Sequence, residues 1–318
     1  MSPYRLLIAI LFLLSVTVVS AQETPEPTLS NSRPTPNLVM TEGGATLELY
    51  FDSIAQGQVG LVHIYGPDIS SIYASFLENE FEFFPAPEDG YYALLAVGMA
   101  QEVRGYDLNI NVQFLDETIS TFTTSIEIVL GAFIRQEITV SEDLGYLIDP
   151  EVERHELAQL ETLFGSFTSE QFWDENGFQW PLETELTSQF GAFRVFNETT
   201  SSRHTGWDMR ASTGTPVITT AAGRVAFAGV LDLRGNYILI DHGYGIYSGY
   251  AHLSVVHVTR GQDISAGEII GQVGSSGRSG GAHFHWEMAV NSEWIDGVEF
   301  TAMWMPLFNP SMPIIENP

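Results

Sequence analysis

Gly281-Ala282-His283-Phe284-His285-Trp286-Glu287 alternates ionisable and aromatic side chains with a period of two, the pattern of a β-strand and not of a helix. On such a strand residues i and i+2 share a face, so His283 and His285 project together while Phe284 and Trp286 point the other way, into a core. Two imidazoles held side by side repel when protonated, and such a pair usually shares a metal or a bound substrate. Two further groups lie upstream: His204-Thr205-Gly206-Trp207-Asp208, whose His and Asp flank a glycine and can converge from a loop, and Tyr250-Ala251-His252-Leu253. Six of the eight histidines fall in this C-terminal part. Two His and one carboxylate make a tetrahedral zinc site whose fourth position is open to water, the catalytic rather than the structural arrangement.

The surroundings of this strand are also β. Pro216–Thr219, Gly223–Ala228, Tyr237–Ile240 and Glu268–Val273 read as short strands bounded by Gly. Further upstream, Thr46–Phe51, Val59–Ile64, Tyr91–Ala96, Leu108–Val112 and Thr118–Phe122 alternate between turn clusters, at the spacing of an immunoglobulin-like β-sandwich. Between the two regions, Pro150 followed by Val152, Leu157, Leu160, Leu163 and Phe164 gives helical spacing, in a segment expected to pack between the domains. The fold class expected is mainly β, divided as 1–21 signal peptide, 22–37 flexible linker, 38–140 sandwich, 141–179 helical linker and 180–318 antiparallel sheet domain.

Composition narrows the chemistry. Forty acidic residues against twelve basic ones give a formal net charge of −28, which argues against nucleic acid and against docking on an anionic membrane through a basic patch. All twelve basic residues are Arg. Without Lys, Walker-type phosphate loops, Schiff-base chemistry and biotinyl or lipoyl carriers are excluded, and Gly271–Gly277 reads as a β-turn wall near the cleft. Without Cys, thiol catalysis, thiolate sites and disulfides fall together, so a transition metal must be held by His and carboxylate. Arg5, the apolar run Leu6–Val19 and Val19-Ser20-Ala21 form a secretory signal pattern too short to span a bilayer comfortably. The mature chain, cut after Ala21, is expected outside the cytoplasm (secreted, periplasmic or bound to the cell wall) and free of the membrane.

The stretch from about Trp180 to Pro310 resembles the lysostaphin-type (LytM-type) zinc metallopeptidases, which cut peptide cross-bridges in bacterial cell walls. The resemblance rests on His204 to Asp208, Gly214-Thr215-Pro216-Val217, Tyr250 to Leu253, the Gly267 to Gly277 run and Gly281 to Glu287, with Phe190-Gly191 and Arg194 as its opening. It implies one Zn2+ per chain on His204, Asp208 and His285. It implies catalytic roles without metal ligation for His252 and His283, a duplicated hybrid motif-like sheet, and a peptidoglycan peptide as substrate, attacked by a zinc-activated water. Ala282, Phe284 and Trp286 stand where the family usually has Pro, Leu and Phe; none removes a group the chemistry needs. The rival from another class is a non-enzymatic LytM-type module that binds wall and activates other hydrolases. A cupin-like oxygenase would want a further His after Glu287, and there is none. His63, His155, His242 and His257 read as packing, turn or surface residues, and Tyr237, Tyr244, Tyr247 and Trp294 as groove liners or core.

Overall fold

The computed structural model describes residues 33–305 except 87–88, 165–166 and 175–176. The expected signal peptide, its cleavage point after Ala21 and the linker up to residue 32 lie outside the described residues. The chain is mostly β. Its first strands are β1 (Leu38–Glu42), β2 (Ala45–Leu49), β3 (Ser53–Ala55), β4 (Val59–Tyr65), β5 (Ile69–Phe76), β6 (Asn79–Phe81), β7 (Phe84–Ala86), β8 (Gly90–Ala96), β9 (Gly105–Phe114) and β10 (Ile119–Val129). They form two five-stranded sheets, in the orders β1-β2-β4-β8-β7 and β3-β10-β9-β5-β6. Alternation is strict in β9, where Tyr106, Leu108, Ile110 and Val112 enter the core between the sheets while Asp107 and Asn111 face out.

Strands β4 and β8 depart from alternation because both of their faces are covered. Val62, Ile64, Ala93 and Leu95 point into the sandwich. Leu61, Tyr92 and Leu94 join a second core made with the C-terminal half. A strand buried on both sides reads as a near-continuous apolar run, as Leu61-Val62-His63-Ile64 does. His63, buried within that run, stacks 4.2 Å from the Tyr92 ring and bonds Glu48 at 2.9 Å, a packing role.

Beyond the sandwich come β11 (Arg135–Ile138), a 3-10 turn at Glu142–Ile148 and helix α1 (Pro150–Phe164). Asp149 accepts the Glu151 N–H at 2.9 Å and Pro150 opens the helix, a favourable N-terminus. Strands β12 (Leu186–Ser188), β13 (Phe193–Phe196), β14 (Thr200–Arg203), β15 (Gly206–Met209), β16 (Pro216–Ile218), β17 (Gly223–Leu231), β18 (Gly235–Gly243), β19 (Ile246–Val256), β20 (Asp263–Ile264), β21 (Ile269–Val273), β22 (Phe284–Val290) and β23 (Glu293–Ile295) follow, then helix α2 (Gly297–Ala302). The large sheet runs β12-β15-β22-β19-β18-β17-β20, with β16, β21 and β23 paired at its sides. Strand β11 pairs in parallel with β13, so strand pairing crosses the segments expected from sequence.

This sheet has two differently used faces. Ile238, Ile240, Tyr250, Phe284, Trp286, Met288 and Val290 enter the core shared with the sandwich. Phe84 stacks on Tyr244 at 4.7 Å and the Asn291 amide donates to Leu94 O at 2.9 Å, tying the layers together. The alternate residues Tyr237, Leu239, Tyr247, Ala251 and Ala289 pack with Leu160 and Phe164 of helix α1. The helix thus lies on the large sheet. Among the described residues no helix is long and apolar enough to cross a membrane.

Candidate metal centre

Three neighbouring strands build the site. Strand β22 pairs with β15 on one side, where His285 lies opposite Asp208 and Glu287 opposite Gly206. On its other side it pairs with β19, where Ala251 lies opposite His285. Asp208 is therefore held within a strand and does not converge from a loop as expected; His204 sits two residues before that strand begins. The short ladder places the carboxylate and the imidazole on the same face of adjacent strands, the one covered further along by helix α1.

The ligand atoms form a nearly equilateral triangle. His204 Nε2 is 3.0 Å from Asp208 Oδ1 and 3.0 Å from His285 Nδ1, and the third edge, His285 Nδ1 to Asp208 Oδ1, is 2.9 Å. All three residues are buried. Outer partners fix which atom points inward. His204 Nδ1–H donates to Gln189 O at 2.7 Å and His285 Nε2–H donates to Glu287 Oε1 at 3.0 Å. The second oxygen of Asp208 takes a hydrogen bond from Arg194, which Ser188 also contacts. With both rings neutral, three lone pairs aim at one point and there is no proton for them to share.

That arrangement fits a small divalent cation. Zinc–nitrogen distances of about 2.05 Å give a tetrahedron with edges of about 3.3 Å, close to the triangle present, and carboxylate-backed imidazoles are the usual outer support of such ions. Electrostatics agree. Burial pulls His204 down to about 4, keeping it a neutral donor of electrons. Burial alone would raise Asp208, but His204, His285 and Arg194 hold it well below the usual carboxylate range. Burial alone would lower His285, but its bonds to Asp208 and Glu287 prevail and raise it. The centre draws positive charge, and a proton on His285 competes with a metal for one place.

The two remaining histidines flank the triangle. His283 Nε2 lies 3.6 Å from Asp208 Oδ1 while its Nδ1–H donates to Gly281 O at 2.9 Å. The His252 ring is 4.7 Å from His283 and 5.7 Å from His285, centroid to centroid. Its Nδ1–H donates to Ser276 O at 2.8 Å, so Nε2 is left as the free atom. Burial, then the nearby His283 and His285, keep His252 well below its ordinary pKa and therefore neutral. Its backbone has φ of +58°, a conformation non-glycine residues avoid except where surroundings enforce it. The side chain of His283 is 22% exposed against 2%, 11% and 6% for His204, Asp208 and His285, so the centre is most open on the His283 side.

The Gly-rich run holds His252. Besides the Ser276 carbonyl, Ser276 Oγ donates to Leu253 O at 2.9 Å, and Gly277, at φ of +71°, passes so close that a Cβ would meet Leu233 O at 2.4 Å. Glu287 was legible as a face-mate of His285, but its surroundings were not: it also accepts from Tyr237 Oη at 2.8 Å, from Thr205 and from Arg234. Tyr237 and Tyr247 are core residues, while the half-buried Tyr244 packs on the sandwich and the half-buried Trp294 on Phe164. His242 is buried in a chain of hydrogen bonds, donating to Ala222 O at 2.8 Å and accepting from Ser248 Oγ at 2.7 Å. His257 and His155 are exposed.

Comparison with known proteins places this geometry. Residues 202–297 match peptidase family M23. Over 116 residues the chain is 40% identical to the DD-carboxypeptidase/endopeptidase Mpg of Neisseria meningitidis serogroup B, covering 36% of this chain and 26% of that protein. It is 33% identical over 139 residues to the peptidoglycan DD-endopeptidase ShyA of Vibrio cholerae, covering 41% and 32%. It is 32% identical over 124 residues to the murein hydrolase activator NlpD of Escherichia coli, covering 39% and 31%. The aligned stretch thus spans about a third or less of these relatives' length. Among solved structures, a putative peptidase M23 from Pseudomonas aeruginosa superposes with a TM-score of 0.58 at 21% identity, over 79% of this chain and 96% of that one, which speaks for the fold.

Proposed function

We propose, from the premise that this chain carries a peptidase family M23 domain at residues 202–297, that it is an exported zinc metalloendopeptidase hydrolysing the peptide cross-links of bacterial cell-wall peptidoglycan. The observation that carries the reading is the triangle of inward lone pairs on His204, Asp208 and His285 with two free imidazole Nε2 atoms beside it. The names of Mpg and ShyA, both endopeptidases, support the substrate class. The division into signal peptide, linker, sandwich, helical segment and catalytic sheet given above belongs to the same proposal, as does a location outside the cytoplasm.

In this reading His204 Nε2, Asp208 Oδ1 and His285 Nδ1 hold the zinc. The ion would supply Lewis-acid chemistry there, polarising a carbonyl and making water acidic. Asp208 offers a single oxygen, because Arg194 occupies the other, and so leaves room for substrate. His283 and His252 each hold Nδ1–H against a backbone carbonyl, which fixes the tautomer and leaves Nε2 to accept a proton from the attacking water. Once protonated, the same Nε2 donates to the oxyanion or to the departing amine. The exposed side of His283 admits the peptide, and the buried side of His252 excludes bulk water.

Similarity to NlpD, a hydrolase activator by name, favours a second reading in which the domain binds wall and activates other enzymes. A binding module has no use for two free Nε2 atoms beside a metal triangle. The test is digestion of defined peptidoglycans by the purified chain, with and without chelator, followed by mass analysis of the fragments. Cleavage that stops with chelator and returns with zinc supports the enzyme; tight wall binding with no cleavage at any zinc level refutes it in favour of the activator. N-terminal sequencing of the exported chain tests cleavage after Ala21.

A further inference from the structure

Helix α1 reaches the metal centre through one buried residue. Arg234, 6% exposed, is held from two sides. Its NH1 donates to Glu156 Oε1 at 2.7 Å, and its Nε and NH2 donate to Glu287 at 2.6 to 3.1 Å. The other oxygen of Glu156 accepts the Leu233 N–H at 2.6 Å. Glu287 in turn accepts the Nε2–H of His285 at 3.0 Å, which turns His285 Nδ1 into the triangle. The links Glu156–Arg234–Glu287–His285 are continuous, charged and buried, and hydrogen bonds of this kind are short and directional.

Charge gives the first argument for a role beyond packing. Asp208, Glu287 and Glu156 contribute three negative charges around the site, and Arg194 and Arg234 two positive ones. The excess of one negative charge suits a dication, and without Glu156 that excess vanishes. Geometry gives the second. Glu287 Oε1 accepts from both Arg234 NH2, at 2.6 Å, and His285 Nε2, at 3.0 Å, so the place of the guanidinium sets the place of the oxygen that orients His285, and Glu156 holds the far side of that guanidinium through NH1. The same helical region also clamps the loop behind His252, since Arg278 NH1 donates to Leu147 O at 3.2 Å and lies 3.6 Å from Glu153.

We propose that Glu156 is a positioning residue of the metal centre, so that helix α1 is an outer part of the hydrolytic site; this rests on the zinc reading above. The full mature chain is compared with Glu156→Gln and Glu156→Ala, and with Glu161→Gln on the exposed side of the same helix. Zinc affinity by chelator competition should fall tenfold to about a hundredfold in both Glu156 variants, the usual size of an outer-partner loss, and stay unchanged in Glu161→Gln. KM should hold while kcat at limiting zinc falls, and saturating zinc should restore kcat. In metal-free protein the 15N signals of the His285 ring should move in Glu156→Gln, a readout that needs no zinc. Wild-type zinc affinity with an unmoved His285 signal in folded Glu156→Gln overturns the proposal. A wild-type chain that binds no zinc while the His285 signal still responds overturns the zinc reading and leaves the positioning role standing.

Discussion

Gly206, the middle residue of His204-Thr205-Gly206-Trp207-Asp208, is where the ladder under the metal centre is tightest. A Cβ built there would sit 2.1 Å from Trp286 O and 2.8 Å from its carbonyl carbon, both backbone atoms of the facing strand. A carbon–oxygen contact wants about 3.3 Å, so Gly206→Ala must open the β15–β22 ladder by about 1 Å at that point. Asp208 lies two residues along the same ladder, opposite His285. The 2.9 Å edge between their ligand atoms cannot absorb such a shift, because metal–ligand distances tolerate only about 0.2 Å. Overpacking itself costs about 1 to 3 kcal/mol of stability. The expected outcome is a folded protein with a modestly lower Tm, zinc affinity down by at least about tenfold, and turnover down by about a hundredfold even at saturating zinc. Gly280→Ala, with open space where its Cβ would go, is the control and should match wild type. Chelator competition, thermal melting and peptidoglycan digestion measure the three quantities. If Gly206→Ala binds zinc and turns over within threefold of wild type, the ladder is not what sets the site.

Three other outcomes are expected. His252→Ala and His283→Ala should each keep stoichiometric zinc by atomic absorption and lose about two to four orders of magnitude in turnover; near-normal hydrolysis by either would remove it from the proton chemistry. Burial holds His242 down at about 4 in the folded chain. The unfolded chain therefore takes up a proton between about pH 6.5 and 4 that the folded chain refuses, and stability present above that window is lost as pH falls through it, by about 3 kcal/mol. The deficit of His242→Gln in urea unfolding should shrink by that amount from pH 7.5 to 4, and a deficit equal at both pH values would refute the assignment. Finally, a chain shortened to residues 180–318 keeps all five His and Asp positions yet lacks Glu156 and Gln136, the latter a partner of Ser188 beside Arg194. It should bind zinc more weakly than the full chain, and equal affinity would show that the preceding segments do not support the site.

The histidine cluster was legible because a strand's period of two is a strong local rule, and because Gly206 and the Gly271–Gly277 run mark where backbones meet. Glu156 was harder to see, since an acidic residue on an amphipathic helix reads as solvated. A signal did exist: Glu156, Leu160 and Phe164 are spaced by four, and that is the buried stripe. Its partner Arg234 lies 78 residues away, beside a Gly turn, and no periodicity connects them. The role of β4 and β8 was not read. Val59–Ile64 and Tyr91–Ala96 pass as alternating sandwich strands, and the layer that covers their second face depends on pairing that local pattern does not carry. The aromatics near the site stayed open between groove and core in the sequence, and Tyr237 and Tyr247 fall in the core because they alternate with residues of the other core and bury their rings under helix α1.

The two faces of β22 explain why the sandwich, sheet and helix have to be considered together. Phe284, Trp286, Met288 and Val290 go to the core shared with the sandwich, and His285, Glu287 and Ala289 to the helix side. A slip of one residue would exchange the sets, driving two ionisable groups into an apolar core and leaving Trp286 where His285 stands beside Asp208. Register is therefore specified twice, once by the apolar layer and once by the charged one. The apolar layer needs the sandwich strands β4 and β8 to cover its far side, and the charged layer needs Arg234, and through it Glu156, to neutralise Glu287 in the dark of the interior. A candidate metal site whose residues come from a four-residue strand, the turn just before it and a neighbouring strand has little rigidity of its own. It borrows rigidity from the layers on either side, which is why substitutions in helix α1 should be felt at the zinc.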